Sequence, residues 1–335
     1  MLKAVINDIE YIHFTMYELE LKYNSIASTF ALTVNKGVIK GDLDYKDITI
    51  YLHGRKVLTG HILPITSKYE SIKGTIKLVG YSSTGSMEIS TIPESTYPLI
   101  HDGYSLLRIA ERLSEPFGVK VGYSVNVSSD VKRVFETTEA DYTTTVKQYL
   151  SMLSSLRNVI LTHDVEGNLY FTRYLEGAQR PVASFVNGYG IQNSTLRIPK
   201  DMHQEIIVIR QASYINPSWT SGSQKPFKIT NPYVKKYSSK TIVMADSDHF
   251  DGDRAVRNAL NEELSGIMLQ INTTKFVMPG QLVEVKIPDH NINDVTEFMV
   301  KDVNVVGDSK EQERYTLTCV LPQVFGDGEV KNIFE

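Results

Sequence analysis

Hydrophobic and polar residues alternate over the first part of the chain. In Glu18-Leu19-Glu20-Leu21-Lys22-Tyr23 every second residue is apolar, and Phe30, Leu32 and Val34 share one face of the next segment. Ile48, Ile50 and Leu52 oppose Thr49, Tyr51 and His53. Alternation with period two marks half-buried strands. Gly54-Arg55 supplies a tight turn, since glycine accepts the positive φ of a short hairpin. Strands return at Lys56–Ile62 and again at Thr75–Gly80.

The period then changes. Leu106, Ile109, Ala110 and Leu113 recur at helical spacing, with Ser105 placed to cap the first turn and Pro116 and Gly118 to end it. A second helix is expected over Tyr142–Leu156, and a hairpin over residues 159–173 with its turn at Glu166-Gly167-Asn168. After a short apolar strand, Glu205–Arg210, residues 211–233 are polar and broken by Pro217, Gly222, Pro226 and Pro232, which predicts a long loop. An amphipathic helix is expected over Asp253–Leu269, and three strands over residues 282–287, 296–305 and 314–321. The pattern divides the chain into a first β domain (residues 1–87), an α+β insertion (88–178) and a second β domain (179–335). The fold class is α+β, predominantly β.

One arrangement occurs twice. Ile48–Leu52, Val57–Ile62 and Thr75–Tyr81 form a strand–turn–strand–spacer–strand series, repeated by Val283–Ile287, Phe298–Val305 and Arg314–Leu321. The order of elements matches while residue identities barely do. The expectation is two related antiparallel β-barrel domains with the small α+β domain inserted between them. Two similar domains per chain would let three chains present six similar units around an axis.

Composition narrows the function. With 35 Lys+Arg against 39 Asp+Glu, the 335-residue chain carries a net charge of −4, which argues against a nucleic-acid coat or a surface for anionic lipid. The lone Cys319 excludes an internal disulfide and a cysteine-rich zinc site. Asp8 arrives too early for a signal peptide, and no apolar run reaches the ~18 residues of a membrane helix.

Catalytic patterns fail on spacing. Gly80-Tyr81-Ser82-Ser83-Thr84-Gly85 lacks the arrangement of a nucleophile elbow and reads as a strand end. The eight histidines form no metal-binding pair, although His53 and His61 could approach each other across their hairpin. The acidic run Asp246–Asp253 has Asp251 where a calcium loop needs glycine and Arg257 where it needs glutamate. Its position before a helix suits N-capping instead. No catalytic residue, metal site or cofactor is expected. Tyr214, Trp219, Phe227 and Tyr233, on the expected loop, are the interface candidates, because tyrosine and tryptophan concentrate at binding hot spots.

Several stretches together resemble the baseplate hub proteins of contractile phage tails, the Mu-like type in particular. They are Asp47–Tyr51, Leu58-Thr59-Gly60, Leu78–Ser82, Gly103–Ala110, Pro116–Val119, Asp164–Phe171, Pro279–Val283 and the end near Leu321-Pro322. The resemblance spans most of the chain and lies in order and spacing. It implies a homotrimeric ring of two tube-like barrels per chain, placed in the virion tail baseplate after assembly in the host cytoplasm. Such a ring joins a three-fold central spike to a six-fold tail tube or tube initiator and contacts the wedge proteins, with the tape measure protein as a further candidate partner. DNA would pass through its bore without specific binding, which a mildly acidic chain suits. One departure is Tyr81 and Gly85, where relatives often read Gly-Arg-Ser-x-x-x-Asp-Leu, so contacts there would differ. Two other readings stay open: a cell-wall-degrading tail enzyme using residues 88–178, and a receptor- or glycan-binding tail protein using loop 211–233.

Overall fold

The computed structural model describes the whole chain apart from residues 1, 36, 39–42, 65–73, 187, 211–224, 245–250, 309–312 and 327. The first region holds β1 (Leu2–Ile6), β2 (Ile9–Tyr11), β3 (Met16–Lys22), β4 (Thr29–Asn35), β5 (Asp47–Leu52), β6 (Arg55–Ile62) and β7 (Thr75–Ser82). The insertion follows with α1 (Ser86–Ile89), α2 (Leu106–Ser114), β8 (Val121–Tyr123), α3 (Ser128–Lys132), α4 (Val146–Leu156), β9 (Ile160–His163) and β10 (Leu169–Thr172). The last region holds β11 (Ala183–Val186), β12 (Asn193–Arg197), β13 (Glu205–Arg210), β14 (Phe227–Thr230) and β15 (Ser239–Met244). It closes with α5 (Gly252–Leu264), β16 (Met268–Thr273), β17 (Leu282–Ile287), β18 (Ile292–Asp308) and β19 (Arg314–Val320). The α+β, predominantly β class expected from the sequence holds.

Period-two patterning builds the strands as expected. In β3, Tyr17, Leu19 and Leu21 are buried while Met16, Glu18 and Glu20 are exposed. The β5–β6 turn is His53-Gly54, both at positive φ (51° and 77°), which matches the right-handed twist of the two strands.

Three boundaries differ from the sequence expectation. Helix α4 begins at Val146, because Thr145 and Gln148 form a capping box: the Thr145 hydroxyl accepts from the Gln148 N–H, and the Gln148 side chain accepts from the Thr145 N–H. Helix α5 ends at Leu264 rather than 269. Gly266 follows, and Met268–Thr273 is a strand with Leu269, Ile271 and Thr273 buried, where the apolar residues change from helical to alternate spacing. The expected loop 211–233 contains β14, which pairs antiparallel with β13 over Val208↔Phe227 to Glu205↔Thr230.

The main sheet has 13 strands in the order β12-β16-β19-β18-β3-β4-β7-β6-β5-β1-β2, with β17 also on β18 and β11 on β17. Both expected meanders are present, β5-β6-β7 and β17-β18-β19, each antiparallel throughout. The likeness extends further than the sequence reveals. Taking β1, β3, β4, β5, β6 and β7 as first to sixth, their spatial order is second, third, sixth, fifth, fourth, first. Strands β11, β12, β16, β17, β18 and β19 repeat that order. They differ at one end, where β1 meets β5 antiparallel and β11 meets β17 parallel.

The two β units are fused. Residues Asp302 to Asp308 of β18 pair with Lys22 to Met16 of β3, and one hydrophobic core runs from Leu2 to Leu321 through both units. The insertion has its own core, in which Leu106, Ile109 and Leu113 of α2 meet Val146, Leu150 and Leu153 of α4 over Phe171. A separate three-stranded sheet, β14-β13-β15, packs Ile206 against α5.

Candidate assembly interface

The seam between the two units is the β3–β18 pairing. Leu19 lies opposite Val305 and Leu21 opposite Val303, all four buried. Above that apolar layer sits a polar knot. Glu313 accepts hydrogen bonds from the hydroxyls of Tyr17 on β3 and Tyr315 on β19. His53, in the β5–β6 turn, lies 2.6 Å from the same carboxylate and 2.8 Å from the Tyr315 hydroxyl. Burial, followed by the adjacent carboxylate, pushes both tyrosine hydroxyls well above the usual range, so they remain donors. Burial pushes the Glu313 carboxyl up too, but the two hydroxyls and His53 outweigh it and hold it below the ordinary value. Three segments remote in sequence thus converge on one carboxylate.

Among the described residues the main sheet has three open strand edges, one of them on β11, which pairs only with β17. At one end β2 pairs only with β1; Ile9 on it is 57 % exposed and Ile12 beside it 45 %. At the other end β12 pairs only with β16, so its outer row of backbone groups is unpaired by the sheet. An uncovered strand edge is a template for another strand. The side chains of β12 alternate between exposed and half-buried, ending in exposed Arg197, which suits a polar rim rather than a core.

Arginines fasten the insertion. The last carbonyls of α4 have no partner within the helix. Arg173 donates to the carbonyls of Arg157 and Asn158 and pairs with Asp130 at 2.8 Å, while Arg254 of α5 reaches the Leu156 carbonyl at 3.4 Å. Arg157 is itself buried, over the Phe135 ring, and donates to the carbonyls of Arg133 and Val134. Burial and the neighbouring arginines bring its pKa down to about 10. On the opposite flank, Lys56 pairs with Glu166, the Thr59 hydroxyl donates to the Val165 carbonyl, and His163 bonds the Ser25 carbonyl.

The residues singled out from the sequence fall in different places. Tyr214 and Trp219 lie outside the described residues. Phe227 is half-buried on β14, its ring against Gly252. Tyr233 packs edge-on against Phe334 at 5.8 Å and donates to the Lys331 carbonyl. Phe227 and Tyr233 therefore sit within local packing, on a strand and against the C-terminal segment. His53 and His61 do not pair: His53 occupies the turn and meets Glu313, and His61 lies opposite Asp47, 2.8 Å from its carboxylate. Ser82 is buried and accepts from the Ser28 N–H, a structural bond at a strand end. Asp251 caps α5 by accepting from the Arg254 N–H, the role expected for the acidic run; residues 245–250 of that run lie outside the described residues. The Tyr17–Glu313–Tyr315 knot was missed. Its only sequence signal is a Glu-x-Tyr pair, and the third partner lies 296 positions away.

Comparison with known proteins agrees with this architecture. Residues 98–173 match the family model described as baseplate hub protein gp44-like, second domain. The fold is that of the 43 kDa tail protein of prophage MuSo2 from Shewanella oneidensis, at 17 % identity and a TM-score of 0.81, covering 96 % of this chain and 98 % of the other. It is also that of the tail protein from Neisseria meningitidis MC58, at 16 % identity and a TM-score of 0.77, covering 97 % of each chain. An E. coli component of the type VI secretion system, described as similar to the T4 tail proteins gp27 and gp5, matches at 11 % identity with a TM-score of 0.57. That match covers 95 % of this chain and 76 % of the other. No curated protein matches by sequence.

Proposed function

We propose, for a chain that has the fold of phage tail proteins and carries a baseplate hub second domain, that it is a structural hub subunit of a contractile phage or phage-like tail. Three copies close into a ring that joins the central spike to the six-fold tail tube, with wedge proteins outside and the DNA path within. The tail baseplate is its place, and its role is mechanical rather than enzymatic.

The observation that carries this reading is the repeated strand order. Within one chain, β3 of the first unit docks along the far half of β18, the fifth strand of the second unit. The counterparts of β3 and β18 are β12 and β6. In a ring of alternating units, β12 of one chain docks onto the first unit of the next as β3 docks onto the second unit. Such a heterologous contact repeats until it closes. Three chains then supply six units of one strand order, the match a six-fold tube requires. The open edge of β12 is the one this scheme consumes. The net charge of −4 suits a bore that DNA crosses without adhering.

Reconstruction of the purified ring by electron microscopy tests the scheme. It predicts three-fold particles in which β12 is hydrogen-bonded in trans. Thr195→Pro, on the β12 edge, removes a backbone donor and should abolish the ring while the monomer stays folded. Rings that persist in Thr195→Pro, or rings in which β12 remains solvent-exposed, would overturn it.

A further inference from the structure

A cleft of about 620 Å³ opens where all three regions meet. Its walls come from the end of β3, the start of β6, the β9–β10 hairpin, the segment before β11 and the turn before β17. The volume lies within the roughly 300–1,000 Å³ typical of built ligand sites.

The walls are held from several directions. The hairpin is tied to the first unit through His163 and the Ser25 carbonyl (2.9 Å) and through Thr59 and the Val165 carbonyl (2.9 Å). The Tyr23 ring is fixed edge-on to Phe325 at 5.2 Å, and Gly280, at φ +81°, lets the turn before β17 press against that ring. The Gly280 N–H donates to the Val300 carbonyl at 2.7 Å. This is a preformed recess, and little ordering would be needed to fill it.

Its chemistry is two-sided. Tyr23, Val57, Met278 and Pro279 offer apolar surface. Lys22, Arg55 and Arg180 bring three cations to it. Asp164 is the acid among the lining residues, and its carboxylate is committed to its own turn, accepting from the N–H groups of Glu166 and Asn168 and from the Asn168 side chain. Lys22 is shared with Glu20 at 3.1 Å. Arg55 and Arg180 are exposed and meet no carboxylate among the described residues. A positive recess on a chain of net charge −4 is a local inversion of sign.

We propose that this cleft docks a short, extended acidic segment of a partner protein. Its apolar side chains would rest on Tyr23, Met278 and Pro279, and its carboxylates would pair with Arg55 and Arg180. Arginine favours such partners because its planar fork matches a carboxylate in two-point contact. Nucleic acid fits less well, since it needs a track of cations along its phosphates rather than a recess with an apolar floor. The inference rests on the cleft alone and is independent of ring closure.

The test is fluorescence anisotropy of the full-length protein with a fluorescein-labelled hexapeptide of alternating leucine and aspartate. Saturable binding is expected that weakens with added salt, falls at least about tenfold in the R55E/R180E double variant, and is absent for the leucine–lysine peptide. Both arginines are exposed, so thermal unfolding of the variant should match the parent. R55Q/R180Q, which removes charge without reversing it, should show the same loss if the glutamates disturb folding. The proposal is overturned if the acidic peptide does not bind, or binds equally well in both double variants. Tighter binding of a labelled single-stranded oligonucleotide than of the acidic peptide would also overturn it and make the cleft a nucleic-acid contact.

Discussion

Glu313→Gln isolates the polar knot at the seam. The side chain keeps its size but loses its charge and one acceptor oxygen. In the parent, the carboxylate receives two tyrosine O–H groups and lies against His53. Tyr17 and Tyr315 are 6 % and 2 % exposed, so water replaces little of what is lost on their side of the knot. A hydrogen bond to a charged group is worth about 1.5–3 kcal/mol and a neutral one about 0.5–1.5 kcal/mol. Two bonds downgraded from the first class to the second cost about 2–3 kcal/mol in all. The amide N–H₂ also faces a hydroxyl that can no longer donate to it in the original geometry, so the upper half of that range is expected.

The pH dependence gives a second, sharper reading. The Glu313 carboxyl is held below its ordinary value in the folded chain. Its stabilisation is therefore present above the unfolded carboxyl pKa and is lost as pH falls through the lower, folded value. Urea unfolding followed by circular dichroism should show the full gap between parent and Glu313→Gln at neutral pH. The gap should narrow progressively in acid, where the parent takes up the proton. A gap below about 0.5 kcal/mol at neutral pH, or one that stays constant into acid, would refute the assignment of the knot as a charge-assisted tie.

Two further outcomes follow from the geometry. Gly280→Ala forces an L-residue into φ +81° and brings a Cβ within 2.6 Å of the Tyr23 ring; a loss of about 1–3 kcal/mol in the same unfolding assay is expected, and an unchanged midpoint would contradict the packing described. His101 and His163 are both pushed down by burial, His101 by the nearby Arg112 as well. The unfolded chain binds their protons first, so stability should fall as pH drops through about 6.5; the acid-side loss should shrink in a His101→Asn, His163→Asn variant.

Much of the architecture was legible in the sequence because strand and helix periods differ so plainly here. Alternation in residues 18–23, 30–34 and 47–53 located β3, β4 and β5, and Leu106 to Leu113 located α2. Boundaries slipped where a local signal competes with periodicity: Thr145 and Gln148 cap a helix whose apolar stripe extends no clear warning of its start, and Ile267 fits the face of a helix that has already ended. The fusion of the two units was not legible, because β3 and β18 lie some 280 positions apart and each reads as an ordinary amphipathic strand. The Glu313 knot was hidden for the same reason. Tyrosines and a glutamate carry no pattern until the fold brings them together. The setting of the aromatic residues at 227 and 233 was not legible either. Their polar neighbours suggested a loop, while the rings pack inward on a strand and against the chain end.

In the proposed ring the open β12 edge is satisfied by the next copy until three chains close. Light scattering coupled to size exclusion measures this directly. For a 37.8 kDa chain the expected result is a single species at three times that mass, about 113 kDa, that persists on dilution and collapses to one chain in Thr195→Pro. A monomer at high concentration, or a two-fold assembly indifferent to Thr195→Pro, would contradict it.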